Sequence, residues 1–195
     1  MQKLLLCTPL ILTLLRAALA PVLILLAWFP SSTGFALCLV AAFLSDVFDG
    51  KIARRLGIAT PNLRRLDSIA DTIFYAAAAY SLWKLHREII LGNAVPLLVL
   101  LGLEIGRYVF DLLKFGKEAS YHMWSSKLWG VFLFLGFFSA LVFGKEGLFV
   151  HLAIYVGMLA DMEGLAISAV LPYWKNDVPT IMHALRIRRE TRAGI

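Results

Sequence analysis

The sequence predicts an all-α integral membrane protein with six transmembrane helices and a polar cavity that faces the cytoplasm. Of its 195 residues, 60% are hydrophobic, which is more than a soluble domain of this length usually carries. The apolar residues form runs near the ~20 residues that cross the hydrocarbon core of a bilayer. Basic residues lie mostly on one side of these runs, and this asymmetry predicts the orientation.

The predicted spans form one membrane domain over residues 1–195, with a basic amphipathic tail from about 173 to 195. Arg16 interrupts the first apolar run, and Pro21 follows its small-residue site, so we expect a retained helix instead of a cleaved signal peptide. Gly116 to Ser126 is a polar connection with room for a short interfacial helix. The predicted spans are about 8–29, 33–55, 66–85, 89–113, 125–143 and 147–171.

The charge pattern predicts that both termini lie in the cytoplasm, as in a bacterial-type inner membrane protein. Lys84, Arg87 and Lys145 fall on the far side, whereas the other sixteen of the 19 basic residues fall on the terminal side or in the helix halves nearest it. The net charge of +6 is therefore assigned to cytoplasmic loops and contact with anionic headgroups. No nucleic-acid partner is expected, because no RNA- or DNA-binding motif is present. The arginines of the tail favour a basic interfacial helix, with substrate binding as the alternative.

Four aspartates interrupt the apolar pattern near the cytoplasmic ends of the second and third spans: Asp46, Asp49, Asp67 and Asp71. Their spacings of three and four residues place each pair on one helix face, and the loop between the spans lets the faces converge. Converging carboxylates repel one another unless cations bridge them. Oxygen ligands suit Mg²⁺, Mn²⁺ or Ca²⁺, and four carboxylates can hold two ions that clamp a diphosphate. A solvated helix end with ordinary salt bridges does not account for four acids in register.

Small and basic neighbours fit the same chemistry. Gly50 and Ala53 lie on the aspartate side of the second helix and leave room for a flat group to approach. Lys51 and Arg54 offer positive charge to a phosphate. The pattern therefore indicates a nucleotide-diphosphate site beside the metal ligands.

This run resembles the signature of the CDP-alcohol phosphotransferases, D-x2-D-G-x2-A-R-x8-G-x3-D-x3-D. Thr13, Arg16 and Pro21 also match the family's first-helix pattern, L-T-x2-R-x4-P, so the resemblance covers most of the chain. Seven of the eight fixed signature positions match, namely Asp46, Asp49, Gly50, Ala53, Arg54, Asp67 and Asp71.

The resemblance implies a membrane enzyme of phospholipid synthesis, commonly a homodimer. Such an enzyme transfers a phosphatidyl group from CDP-diacylglycerol to a small alcohol and releases CMP. The four aspartates would hold two divalent cations, Mg²⁺ or Mn²⁺, and Asp71 would be the general base for the acceptor hydroxyl. The donor nucleotide and its diphosphate would be bound by Gly50, Ala53, Arg54 and Thr60.

Two positions depart from the family pattern. Leu63 replaces the second signature glycine, and Leu10 follows Pro9 where the pattern usually has asparagine. Neither change touches a metal ligand. Both bear on the nucleotide pocket and on the identity of the donor.

The resemblance also implies a phosphorylated polyol, such as glycerol 3-phosphate, as the acceptor, because family members that use such acceptors carry basic residues on the later helices. Arg107 and Lys127 are the predicted acceptor-binding residues, with Arg64 and Arg65 in reserve and snorkelling cations at helix ends as the alternative. Inositol phosphate, serine, choline and phosphatidylglycerol remain alternative acceptors. Asp161 and Glu163 are predicted to pair with Arg16 or Arg107, or to line the polar cavity.

Two other classes of protein share parts of this pattern. A divalent-cation transporter would carry its acids through the membrane, whereas the far side here has only Glu88 and Glu146. A non-catalytic partner that binds lipid or nucleotide is suggested only by Leu63. The enzyme is therefore the preferred interpretation.

Overall fold

The computed structural model describes residues 2–55, 61–119 and 121–192 of the chain. Long apolar runs bounded by Pro, Ser and Gly turns give helices, and every regular element of the described residues is an α-helix. The helices are α1 (Gln2–Trp28), α2 (Ser32–Arg55), α3 (Pro61–Leu85), α4 (Arg87–Gly92), α5 (Ala94–Phe115), α6 (Trp124–Phe143), α7 (Leu148–Val170) and α8 (Ile181–Arg192). The predicted all-α class is therefore confirmed.

Three of the described helices are long and apolar enough to cross a membrane: Thr8–Trp28, Trp124–Phe143 and Leu148–Val170. The helices α2, α3 and α5 have 24, 25 and 22 residues, which is also enough to span the hydrocarbon. They carry most of the charged residues of the predicted site, which lowers their hydropathy. The count of six spans therefore stays a prediction.

The described chain divides into two compact units, and the first comprises residues 1–90 and 137–146. In this unit α1 packs against both α2 and α3. Buried alanines, including Ala20 on α1 and Ala78 on α3, let the helix backbones approach closely. The Ser81 hydroxyl lies 3.0 Å from the carbonyl oxygen of Leu23, within donating distance, and links α3 to α1. This packing fixes the part of α1 that carries Arg16.

The second unit comprises residues 91–136 and 147–195, with α7 packed against α5 and α8. The indole Nε1 of Trp129 donates to the carbonyl oxygen of Ala153 at 2.9 Å. Lys114 Nζ donates to the carbonyl oxygens of Ser168 and Ala169, which closes the carboxyl end of α7. Within this unit, α7 is therefore held by contacts along most of its length.

Two local predictions differ from the structure, and a third is met by a helix that is partly covered. The expected fourth span is broken at Asn93 into α4 and α5, and Pro96 lies in the first turn of α5, where no N–H is needed. No interfacial helix forms in the described residues 116–119 and 121–123, since Gly116 ends α5 with φ of 68°. The tail does form a helix, α8, but Ala184 is buried on a cluster of apolar residues of the second unit. Part of the apolar face of α8 is therefore covered by protein.

Candidate active site

Arg16 is the centre of the acidic cluster in the first unit. Its side chain is only 1% exposed, although α1 is otherwise strongly apolar around it. Its Nη2 donates to Asp49 at 2.5 Å, and its Nη1 donates to Asp67 at 3.0 Å and also to Asp71. Asp46 lies 3.5 Å from the same Nη1. One guanidinium from α1 therefore contacts the four aspartates of α2 and α3.

The arginine is itself held by a polar contact on α2. Arg16 Nε donates to the Ser45 hydroxyl oxygen at 3.5 Å, and Ser45 donates to the carbonyl oxygen of Ala42 at 2.7 Å. All three guanidinium nitrogens therefore have an oxygen acceptor. A planar group with several fixed donors can serve this many partners, whereas a lysine ammonium cannot match the geometry.

The four carboxylates differ in their exposure to solvent, so the site is open on the side of the more exposed ones. Asp49 is buried and Asp46 is half exposed, with Asp67 and Asp71 between them. Asp46, Asp49 and Asp67 each offer an oxygen, and these atoms lie within 4.8 Å of one another. Three hard oxygen donors from two helices can therefore approach a common point from one side.

These residues fit a divalent cation. Four carboxylates face one arginine, so the cluster keeps an excess of three formal negative charges when all the acids are ionised. At an effective dielectric constant of about 20, two like charges 4 Å apart repel by about 4 kcal/mol. A bound cation would relieve this repulsion, and Mg²⁺ and Mn²⁺ prefer all-oxygen ligands of this kind.

Part of the predicted donor site lies outside the described residues. The side chains of Ala53, Arg54 and Arg64 and the whole of Thr60 belong to this group. Gly50 follows Asp49 directly on α2. Leu63, which replaces the signature glycine, is partly buried on α3, four residues before Asp67.

Arg107 and Lys127, the predicted acceptor residues of the second unit, differ from each other in their contacts. Arg107 Nε lies 3.1 Å from Asp161 Oδ1, which pairs a cation of α5 with an acid of α7. Lys127 is exposed, with its Nζ 4.3 Å from the centroid of the Trp124 ring. Glu163 accepts a hydrogen bond from the Ser125 hydroxyl at 2.6 Å. Of the open alternatives for Asp161, the structure therefore shows the pairing with Arg107, while Arg16 is engaged by other acids.

More polar groups are buried around this pair in the second unit. Asp111 is buried, and its Oδ1 has no hydrogen-bond partner among the described residues. The Tyr121 hydroxyl forms a 2.8 Å hydrogen bond with the Ser168 hydroxyl. Burial raises the pKa of Tyr121, and the hydrogen bond with Ser168 opposes this shift. The phenol therefore keeps its proton near neutral pH and stays available as a donor.

The role of Arg16 as the common partner of the aspartates was not predicted from the sequence. The available signal was a charged residue inside the apolar run of the first helix, where an unpaired charge is costly. That signal shows that a partner is needed, but it does not say which acid. Only the packing of α1 against α2 and α3 identifies the partners.

One known protein family matches most of the chain. The family model described as CDP-alcohol phosphatidyltransferase matches residues 6–173, which include Arg16, all four aspartates and Asp161. The chain belongs to this family. The resemblance predicted from the signature is therefore confirmed, and the members of this membrane-bound family are phosphatidyltransferases of phospholipid synthesis.

One curated relative also matches part of the chain. The chain is 37% identical over 100 residues to a CDP-diacylglycerol–glycerol-3-phosphate 3-phosphatidyltransferase of Pseudomonas fluorescens. The aligned region covers 50% of this chain and spans about half of the length of that relative. No solved structure matches the chain.

Proposed function

We propose that this protein is an integral membrane enzyme that transfers a phosphatidyl group from CDP-diacylglycerol to glycerol 3-phosphate and releases CMP. The observation that carries the proposal is the convergence of Asp46, Asp49 and Asp67 within 4.8 Å, with Asp71 on the same guanidinium as Asp67. The family match supports the type of reaction, and the name of the Pseudomonas relative supports the acceptor.

The proposed reaction exchanges one ester bond for another at a single phosphorus. The hydroxyl oxygen of glycerol 3-phosphate attacks the phosphorus that bears diacylglycerol, and the bond from that phosphorus to CMP breaks. Asp71 takes the hydroxyl proton, which a carboxylate at the open side of the site can pass to water. Asp46, Asp49, Asp67 and Asp71 would hold two divalent cations, Mg²⁺ or Mn²⁺, whose positive charge would offset the negative charge of the diphosphate and of the departing CMP.

The remaining predicted contacts belong to the same proposal. Gly50, Ala53, Arg54 and Thr60 bind the cytidine and its diphosphate on the donor side. Arg107, Lys127 and Arg64 bind the phosphate of the acceptor. Arginine suits this task because its planar fork can donate two parallel hydrogen bonds to one phosphate group.

The membrane arrangement is proposed from the charge pattern and the helix lengths. The helices α1, α2, α3, α5, α6 and α7 would be the six spans of one membrane domain, with a cytoplasm-facing cavity, both termini in the cytoplasm and a location in an inner membrane of the bacterial type. The many exposed leucines, valines and phenylalanines of these helices suit contact with lipid tails. A homodimer, common in the family, is proposed as the assembly.

Release of CMP by the purified protein with a panel of acceptors tests the proposal. With CDP-diacylglycerol and Mg²⁺ or Mn²⁺, we expect CMP release to depend on glycerol 3-phosphate and a matching lipid product to form. Removal of divalent cations with EDTA should abolish the reaction, because the diphosphate would then face uncompensated carboxylates. Re-addition of Mn²⁺ after EDTA is the control for damage to the protein.

The panel separates the parts of the proposal. Turnover with inositol phosphate or serine and none with glycerol 3-phosphate would refute the acceptor and leave the family chemistry in place. Absence of CMP release with every acceptor, by a folded and metal-supplied protein, would refute the activity itself.

A further inference from the structure

Arg107 and Asp161 form an ion pair whose two side chains differ in their exposure to solvent. Asp161 is only 3% exposed, whereas the side chain of Arg107 is 25% exposed. The Nε atom of Arg107 that faces Asp161 is itself buried. The accessible area of the Arg107 side chain therefore belongs to atoms other than the Nε that faces Asp161.

Gly164 provides the space that this arrangement requires. It lies three residues after Asp161 on α7, so both positions share one face of the helix. A Cβ atom built at Gly164 would lie 2.8 Å from Arg107 Cδ and 3.2 Å from Arg107 Nη1. The side chain of Arg107 therefore runs across α7 at a position where only a hydrogen fits without displacement.

Each partner of this ion pair also has one buried polar atom that forms no hydrogen bond with the described residues. Arg107 Nε and Asp161 Oδ2 are buried and have no hydrogen-bond partner among the described residues, so the 3.1 Å contact is an ion pair without an aligned hydrogen bond. A buried carboxylate with an unpartnered oxygen is costly, and an apolar side chain in its place would pack without that cost. This cost favours a role for Asp161 beyond the stability of the α5–α7 contact.

We propose that Asp161 is a positioning residue that orients Arg107 for the phosphate group of the acceptor. The inference rests on the proposed function, since it assigns Arg107 to acceptor phosphate. Asp161 holds the buried Nε, Gly164 leaves room for the side chain to cross α7, and the Nη atoms of Arg107 would bind the phosphate.

Two substitutions test the orientation in different ways. Asp161→Asn removes the charge that holds Arg107, whereas Gly164→Ala keeps both charges and displaces the arginine with one methyl group. We expect the KM for glycerol 3-phosphate to rise by about 10- to 100-fold with Asp161→Asn and by about tenfold with Gly164→Ala, because misplacement of a binding group by ~1 Å has effects of this size. The KM for CDP-diacylglycerol should not change.

Gly106→Ala is the matched control. It makes the same substitution in the residue before Arg107, and a Cβ there would meet no described atom within 4 Å. Both KM values should therefore stay at those of the wild type. Asp161→Glu keeps the charge and should recover part of the affinity for glycerol 3-phosphate that Asp161→Asn loses. Thermal unfolding of every variant reports whether the fold is kept.

The outcomes distinguish this inference from the function on which it rests. Normal KM values for glycerol 3-phosphate in Gly164→Ala and Asp161→Asn, with an active wild type, would overturn the positioning role alone. An equal rise of both substrate KM values would overturn it as well, because it would indicate a structural defect. If Asp161→Asn does not fold, Gly164→Ala and Asp161→Glu decide. A wild type without transfer to glycerol 3-phosphate would refute both proposals.

Discussion

Replacement of Asp71 by asparagine is expected to lower kcat for CMP release by about 10³-fold, which is typical of the loss of a general base. The change removes the proton acceptor and keeps the size of the side chain. Asp49 and Asp67 still contact Arg16, so α1, α2 and α3 should stay packed. The measurement is the initial rate of CMP release at saturating CDP-diacylglycerol, glycerol 3-phosphate and Mn²⁺.

Asp177→Asn is the matched control for this substitution. Asp177 lies in the connection between α7 and α8, where it is exposed and paired with His122 at 2.8 Å. Its φ is 56°, a conformation that asparagine adopts as readily as aspartate. The same chemical change at this position should leave the rate unchanged.

Two results would contradict the assignment of Asp71. An Asp71→Asn protein as active as the wild type would show that another group takes the proton. A loss that is fully restored by more Mn²⁺ would show that Asp71 acts only as a metal ligand. Asp67→Asn serves as the reference for a ligand, because we expect its defect to weaken as the concentration of Mn²⁺ rises.

The helices and the acidic cluster could be predicted from the sequence because both depend on local patterns. Apolar runs near 20 residues give helices wherever they occur. The spacing from Asp46 to Asp71 places the carboxylates on helix faces before any tertiary contact is known. The break at Asn93 was missed, since a single polar residue between two apolar stretches gives little signal in a hydropathy pattern.

The partners of buried charges could not be predicted, because they depend on packing between distant segments. Arg16 and Asp71 are 55 residues apart, and Arg107 and Asp161 are 54 apart, so no local period links either pair. The sequence indicated that each charge needs a partner, and for Asp161 it offered both Arg16 and Arg107 without deciding between them. The choice follows from which helices pack together: α1 with α2 and α3 in the first unit, and α5 with α7 in the second.

Replacement of Arg16 by glutamine is expected to destabilise the metal-free protein by about 3–5 kcal/mol, the usual effect of removing one partner from a buried ion pair. The four carboxylates would lose the only cation among the described residues that contacts them all. A divalent cation supplies the missing positive charge, so Mn²⁺ should stabilise the variant more than the wild type. Thermal unfolding in detergent, with EDTA or with Mn²⁺, measures both effects.

Thr13→Val is the control for the loss of a buried polar group from α1. Thr13 donates to the carbonyl oxygen of Pro9 at 3.1 Å and is buried three residues before Arg16, so its replacement should cost about 1 kcal/mol with or without Mn²⁺. The stability of Arg16→Lys should lie between that of Arg16→Gln and that of the wild type. A single ammonium cannot match the positions of Asp49, Asp67 and Ser45 together. Equal stabilisation of Arg16→Gln and wild type by Mn²⁺ would show that the arginine and the cation do not share the charge of the cluster. The role of Arg16 as the resident counter-ion of the four aspartates would then be wrong.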